Sequence, residues 1–170
     1  MRVELAKTAG FCYGVRRAVH LAEETAGRGR ACVMLGPIIH NRDEIARLEA
    51  MGVGLVSSIA EIPEGAAVLI RSHGEGREVH QALAARGCQV VDATCPNVSR
   101  IHRIVAQAEE EGRQVLIIGT PTHPEVAAIA GWCARAVVLD GAEALARWLD
   151  GAPARREMPL TMVSQTTSTR

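Results

Sequence analysis

Six short stretches, five of them containing glycine or proline, carry side chains that could do chemistry. They are "AGFCYG" with Cys12, "GPIIHN" with His40, "RSHGEG" with His73, "DATCP" with Cys95, "GTPTHPEV" with His123 and Glu125, and "SQTTST" with its threonines. Cys95 sits where an apolar run hands over to a long amphipathic segment. A helix start offers unpaired N–H groups and the positive end of its dipole, surroundings that suit a thiolate. Pro96 fits that first turn, because its missing N–H would have no helical partner. Cys95 is thus suited to nucleophilic attack or to a soft metal, and Cys12 occupies a matching loop. No C-x-x-C spacing accompanies them, so inert packing of either thiol stays open. The three histidines could complete a zinc site, or they could hold an anion. Helix starts follow each of them closely, the usual arrangement for phosphate, and glycine in "SHGEG" permits close backbone approach.

The elements that must position these groups follow from the apolar pattern. Short β-branched runs predict strands at Arg2–Ala6, Ala31–Leu35, Gly52–Val56, Ala66–Ile70, Cys88–Val91, Gln114–Ile118, Ala134–Leu139 and Leu160–Val163. Helical periodicity fills about 14–27, 41–51, 76–86, 97–111, 124–131 and 142–149. It is clearest where Val98, Ile101, Ile104, Val105 and Ala108 share one face. The run "GAPARREMP", 151–159, reads as a surface loop. Alternating strands and helices imply an α/β fold with right-handed crossovers and mostly parallel sheets covered on both faces. A boundary near residue 96 gives two small αβα units, 1–95 and 96–170. In open parallel sheets ligands bind beyond the carboxyl ends of the strands, and each of the six stretches follows a predicted strand. One such loop would mean little; six make a site.

Other candidates belong elsewhere. Cys32 and Cys88 begin strands and Cys133 precedes one, which puts all three at the opposite sheet edge as small buried hydrophobes. His20, His80 and His102 lie within helical patterns, where solvated or satisfied side chains are expected. Gly74-x-Gly76-x-x-Val79 with Asp92 is a partial dinucleotide fingerprint lacking its third glycine.

Composition narrows the field further. The 170 residues are 48% apolar and 22% charged, with zero formal net charge and only two Trp, one Tyr and one Phe. A nucleic-acid binder wants a basic surface and often aromatic platforms. No run approaches membrane-spanning length and no signal-peptide core opens the chain, so a cytoplasmic protein is expected. Its five cysteines are then reduced thiols rather than a disulfide framework.

Taken in order, "GFCYGVRRA", "IIHN", "RSHG", "DATCP", "THPEV" and "SQTTS" resemble the 4-hydroxy-3-methylbut-2-enyl diphosphate reductases, the LytB family, from Arg2 to the final residues. The resemblance implies a 4Fe–4S cluster held by three cysteines, of which Cys12 and Cys95 match two. It assigns His40, His73 and His123 to the substrate's diphosphate. Glu125 becomes the acid that relays protons to the departing hydroxyl, and Thr166 the threonine that hydrogen-bonds near it. The implied reaction is reductive dehydroxylation: two electrons and two protons, loss of water, release of isopentenyl and dimethylallyl diphosphate. Ferredoxin or flavodoxin would donate the electrons. Family members continue past "QTT" into a third α/β unit that supplies the third cysteine, so the sequence is expected to be the first two thirds of such a reductase. As an isolated chain it should bind a cluster poorly, turn over little, and expose apolar surface. Two other readings remain: a cluster-free phosphate- or diphosphate-binding fragment, and a dinucleotide-dependent oxidoreductase using Gly74, Gly76 and Asp92.

Overall fold

Four-residue β-branched runs separated by helices long enough to cross a sheet leave one economical arrangement, a parallel sheet with helices on its faces. The computed structural model describes residues 2–167 and has this form. In chain order the elements are α1 (Tyr13–Ala26), β1 (Cys32–Leu35), α2 (Arg42–Ala50), β2 (Val53–Val56), β3 (Ala67–Ile70), α3 (Arg77–Ala85) and β4 (Gln89–Asp92). Then come α4 (Pro96–Glu110), β5 (Gln114–Ile118), α5 (Pro124–Ala130), β6 (Ala136–Leu139), α6 (Ala142–Asp150) and β7 (Leu160–Ser164). Single 3₁₀ turns lie at Ile59–Glu61 and Pro153–Arg156, the second within the stretch expected to be loop.

Two all-parallel sheets result, ordered β2-β1-β3-β4 and β6-β5-β7. In β3 all four residues, Ala67 to Ile70, are wholly buried, as a central strand covered on both faces requires. Alternate residues of β1 serve opposite faces. Cys32 and Met34 pack with Ala18, Val19 and Ala22 of α1 and Leu48 of α2. Val33 and Leu35 pack with Leu83 of α3. In the second sheet Val115 and Ile117 pack against Val105 and Ala108 of α4 and Val126 and Ile129 of α5.

One expected element is missing. Residues 2–6 form no strand, and Val3 and Leu5 are 80% and 87% exposed. Alternation supplies an apolar face, but a strand exists only where a neighbouring edge pairs with it, and neither described sheet offers this segment one.

Candidate functional site

Each candidate owes its place to a strand end or a helix start. Cys12 is the N-cap of α1 and Cys95 the N-cap of α4, with Pro96 in the first turn. His40 follows β1, and Asn41 beside it caps α2 by accepting the Glu44 N–H at 2.9 Å. His73 follows β3. His123 caps α5, its Nδ1 accepting the Glu125 N–H at 3.2 Å. Thr166 lies just past β7, which is paired with β5 so that Ser164 stands opposite Ile118.

The structure brings these residues together. Ring centroids of His40 and His73 are 4.6 Å apart, His73 and His123 5.5 Å, and His40 and His123 6.2 Å. One cavity of about 120 Å³ is lined by Cys12, Cys95, His73, Glu125 and Thr166, together with Gly14, Val15, Ser72, Val98 and Thr167. Glu125 is buried at 1% exposure. One carboxylate oxygen accepts the Thr166 N–H at 2.5 Å and the other its hydroxyl at 2.9 Å.

The histidine chemistry is constrained by its neighbours. Because His123 Nδ1 accepts a backbone N–H, its lone pair is occupied and the ring proton falls to Nε2, which is thereby a donor. Nitrogen atoms of all three histidines lie within 4.8 Å of one another, close enough for one metal ion. A metal would need the Nε2 lone pair that this tautomer lacks, so the arrangement suits an anion better. Burial, reinforced by the neighbouring His40, His123 and Arg71, lowers the His73 pKa to about 4, leaving a neutral imidazole. Its Nδ1 is buried and finds no hydrogen-bond partner among the described residues.

Two thiols on one mostly apolar wall are a suitable donor pair for an iron–sulfur cluster. Gly14 makes room for them: a Cβ there would lie 2.6 Å from Cys95 Sγ. The other three cysteines do not line this cavity. Cys32 and Cys88 stand at the amino end of the first sheet, about 10 Å from its carboxyl edge at ~3.3 Å per residue. Cys32 is buried, and burial raises the pKa of both its thiol and that of Cys133.

Several groups escaped the sequence reading. Gln165 accepts the Thr120 N–H and donates to Thr167, joining the two threonine-bearing loops. Arg71 and Glu75 form an ion pair at 2.7 Å beside His73. His102 departs from expectation: it is buried and stacked on Trp132 at 5.2 Å, with Nε2 unpartnered among the described residues. His20, as expected, is a surface residue beside Glu24. The glycines of the partial fingerprint serve packing. Gly74 has φ +78° and abuts His102, where a Cβ would come within 2.5 Å, and Gly76 lies against Gly131. The Arg77 N–H is already bonded to the Gly131 carbonyl at 3.1 Å and Asp92 to Thr94, so neither is free for a dinucleotide.

Fold and site together define an α/β protein whose thiol, imidazole and carboxyl groups converge beyond the carboxyl ends of parallel strands. A sequence model described as LytB protein matches residues 3–170; the chain belongs to the LytB family. It is 44% identical over 134 residues to a Geobacter protein named 4-hydroxy-3-methylbut-2-enyl diphosphate reductase, covering 79% of this chain and 47% of that protein. A Desulfovibrio desulfuricans protein of the same name is 40% identical over 179 residues, covering 100% of this chain and 61% of its own length. The solved structure of an (E)-4-hydroxy-3-methyl-but-2-enyl diphosphate reductase superposes with a TM-score of 0.81 at 39% identity, over 97% of this chain and 58% of that one. The Plasmodium falciparum enzyme shares the fold at 24% identity, with a TM-score of 0.85. The chain thus spans about half the length of the curated relatives it matches. No helix among the described residues is long and apolar enough to cross a membrane.

Proposed function

We propose that this chain forms the diphosphate- and cluster-facing part of a 4-hydroxy-3-methylbut-2-enyl diphosphate reductase. The observation that carries this reading is the cavity shared by Cys12, Cys95, His73, Glu125 and Thr166. His123 Nε2–H and the neutral His73 donate hydrogen bonds to the diphosphate from one side, and His40 closes the group. Neutral donors bind a phosphate oxygen without leaving a buried charge when the product departs. Thr166 holds both carboxylate oxygens of Glu125, so the carboxyl group has a fixed direction from which to pass a proton to the leaving oxygen. Cys12 and Cys95 would hold a 4Fe–4S cluster, which when bound supplies electrons and an iron site for the substrate's oxygen. The net change is two electrons and two protons in, water out, and isopentenyl or dimethylallyl diphosphate released, with ferredoxin or flavodoxin as donor.

Cys32, Cys88 and Cys133 belong to other parts of the fold, so a further cluster ligand has to come from outside these 170 residues. The relatives' greater length leaves room for one. The division near residue 96 into two α/β units is part of the same proposal, with the site at their junction. Anaerobic reconstitution with iron and sulfide tests it. Iron should bind substoichiometrically to this chain and only while Cys12 and Cys95 are both present. Equal iron in Cys12→Ala and Cys95→Ala, or none in the unsubstituted chain, would overturn the reading.

A further inference from the structure

The loop that ends in Cys95 is short, and nearly every polar group in it can be traced to a partner. Between β4 and α4, the Ala93 N–H bonds the Ile70 carbonyl at 3.1 Å and the Cys95 N–H bonds the Ser72 carbonyl at 2.9 Å. Asp92 folds the loop back on itself, accepting from the Thr94 N–H at 2.9 Å and from the Thr94 hydroxyl. Among the groups these bonds leave over are the carbonyls of Asp92 and Thr94. Both accept from one guanidinium, that of Arg17, whose two terminal nitrogens lie 3.2 Å from the Thr94 oxygen and 3.3 Å from the Asp92 oxygen.

Arg17 belongs to α1, the helix capped by Cys12, and is three residues beyond Gly14. Residues three apart share a helix face, so α1 meets the Cys95 loop at two points. Gly14 abuts the sulfur, and Arg17 holds the carbonyls just before it. Behind the loop lies a cavity of about 550 Å³ lined by Arg17, Asp92, Thr94 and His102 among others. Without the guanidinium the back of the loop faces open space, with only water to replace two bonds.

We infer that Arg17 is the positioning residue for Cys95, fixing the distance between the two cysteine-bearing loops. This rests on the reading of Cys12 and Cys95 as ligands of one group. The arrangement needs arginine. A planar fork bridges two carbonyls, whereas a lysine ammonium is a point donor that satisfies one well.

The test needs no metal. Alkylation rates of the five cysteines are measured by mass spectrometry in the unsubstituted chain, Arg17→Ala and Arg17→Lys, with circular dichroism as a check on folding. Losing two hydrogen bonds should raise the Cys95 rate roughly tenfold in Arg17→Ala and by less in Arg17→Lys, while Cys12, Cys32, Cys88 and Cys133 keep theirs. If Arg17→Ala fails to fold, Arg17→Lys decides alone. An unchanged Cys95 rate, or a parallel rise at all five cysteines, would overturn the inference. Cysteine-dependent iron binding beside an unchanged Cys95 rate removes Arg17's role only. A Cys95-specific rise with no iron binding upholds it and removes the cluster reading.

Discussion

The contact between Glu125 and Thr166 ties the first turn of α5 to the end of β7 across 41 residues, and its strength can be isolated. A single substitution would mix several effects, because removing a carboxylate buried at 1% exposure also relieves desolvation. A double-mutant cycle cancels those single-site terms. The variants are Glu125→Ala, Thr166→Val and the pair. Valine keeps the shape of threonine and its backbone N–H while deleting only the hydroxyl bonded to the second carboxylate oxygen at 2.9 Å. A hydrogen bond to a charged group contributes about 1.5–3 kcal/mol, and the coupling energy from urea unfolding should fall in that range. Glu125→Ala alone should cost more than Thr166→Val. It leaves the Thr166 N–H without its acceptor, at about 1–3 kcal/mol, and opens a cavity besides. A coupling below about 0.5 kcal/mol is no larger than ordinary additivity error. That result would refute the hydroxyl's hold on the second carboxylate oxygen and, with it, the two-point fixing on which the directed proton path rests.

Further consequences can be checked with the same material. Gly14→Ala should depress stability by up to about 2 kcal/mol, since overpacking against Cys95 Sγ costs about 1–3 kcal/mol and alanine's helix propensity returns about 1 kcal/mol; a raised Tm would contradict the close approach. His123→Ala should weaken inorganic diphosphate binding roughly 10- to 100-fold with the fold intact, measured by titration calorimetry. In protein reconstituted to turn over, Glu125→Gln should retain substrate and lose most of its rate, whereas unsubstituted rates would remove Glu125 from the chemistry. Burial first lowers both His73 and His102 from the ordinary 6.5 to about 4; His40, His123 and Arg71 add to it at His73, while at His102 it outweighs the opposing pull of Asp92. The unfolded chain therefore takes up protons that the folded chain refuses as the pH falls through 6.5. Stability should be full above pH 6.5 and fall progressively toward pH 4. His102→Gln should flatten that slope, and an unchanged slope would count against the buried neutral ring.

The parts of this fold visible in the sequence are those fixed by local pattern. Strand cores such as Gln114–Ile118 and the amphipathic face of α4 follow from the spacing of Val98, Ile101 and Val105. Cys95 at a helix start follows from an apolar run, a threonine and Pro96. Strand pairing is not local, and this is why the alternating Val3 and Leu5 suggested a strand that the structure lacks. Contacts between distant residues were equally hidden. Arg17 reads as one more helix arginine until the Thr94 carbonyl, 77 residues away, comes to lie on it. His102 shares a helix face with Val98 and Val105, four and three residues away, so its burial was legible in the spacing, whereas its close fit against Gly74, where a Cβ would come within 2.5 Å, was not. Convergence of the histidines was foreseeable from strand ends, but the tautomer of His123 depends on the bond its Nδ1 accepts from the Glu125 N–H, which no sequence pattern announces.

At the centre of the proposed function, the three histidines act as an anion site beside the two thiols. Titration of inorganic diphosphate into the metal-free chain at pH 7.5 tests this most directly, with His40→Ala, His73→Ala and His123→Ala measured alongside. Binding of one diphosphate per chain, weakened by each substitution, is the predicted result. Failure to bind at millimolar concentration, or an affinity that all three substitutions leave unchanged, would contradict it.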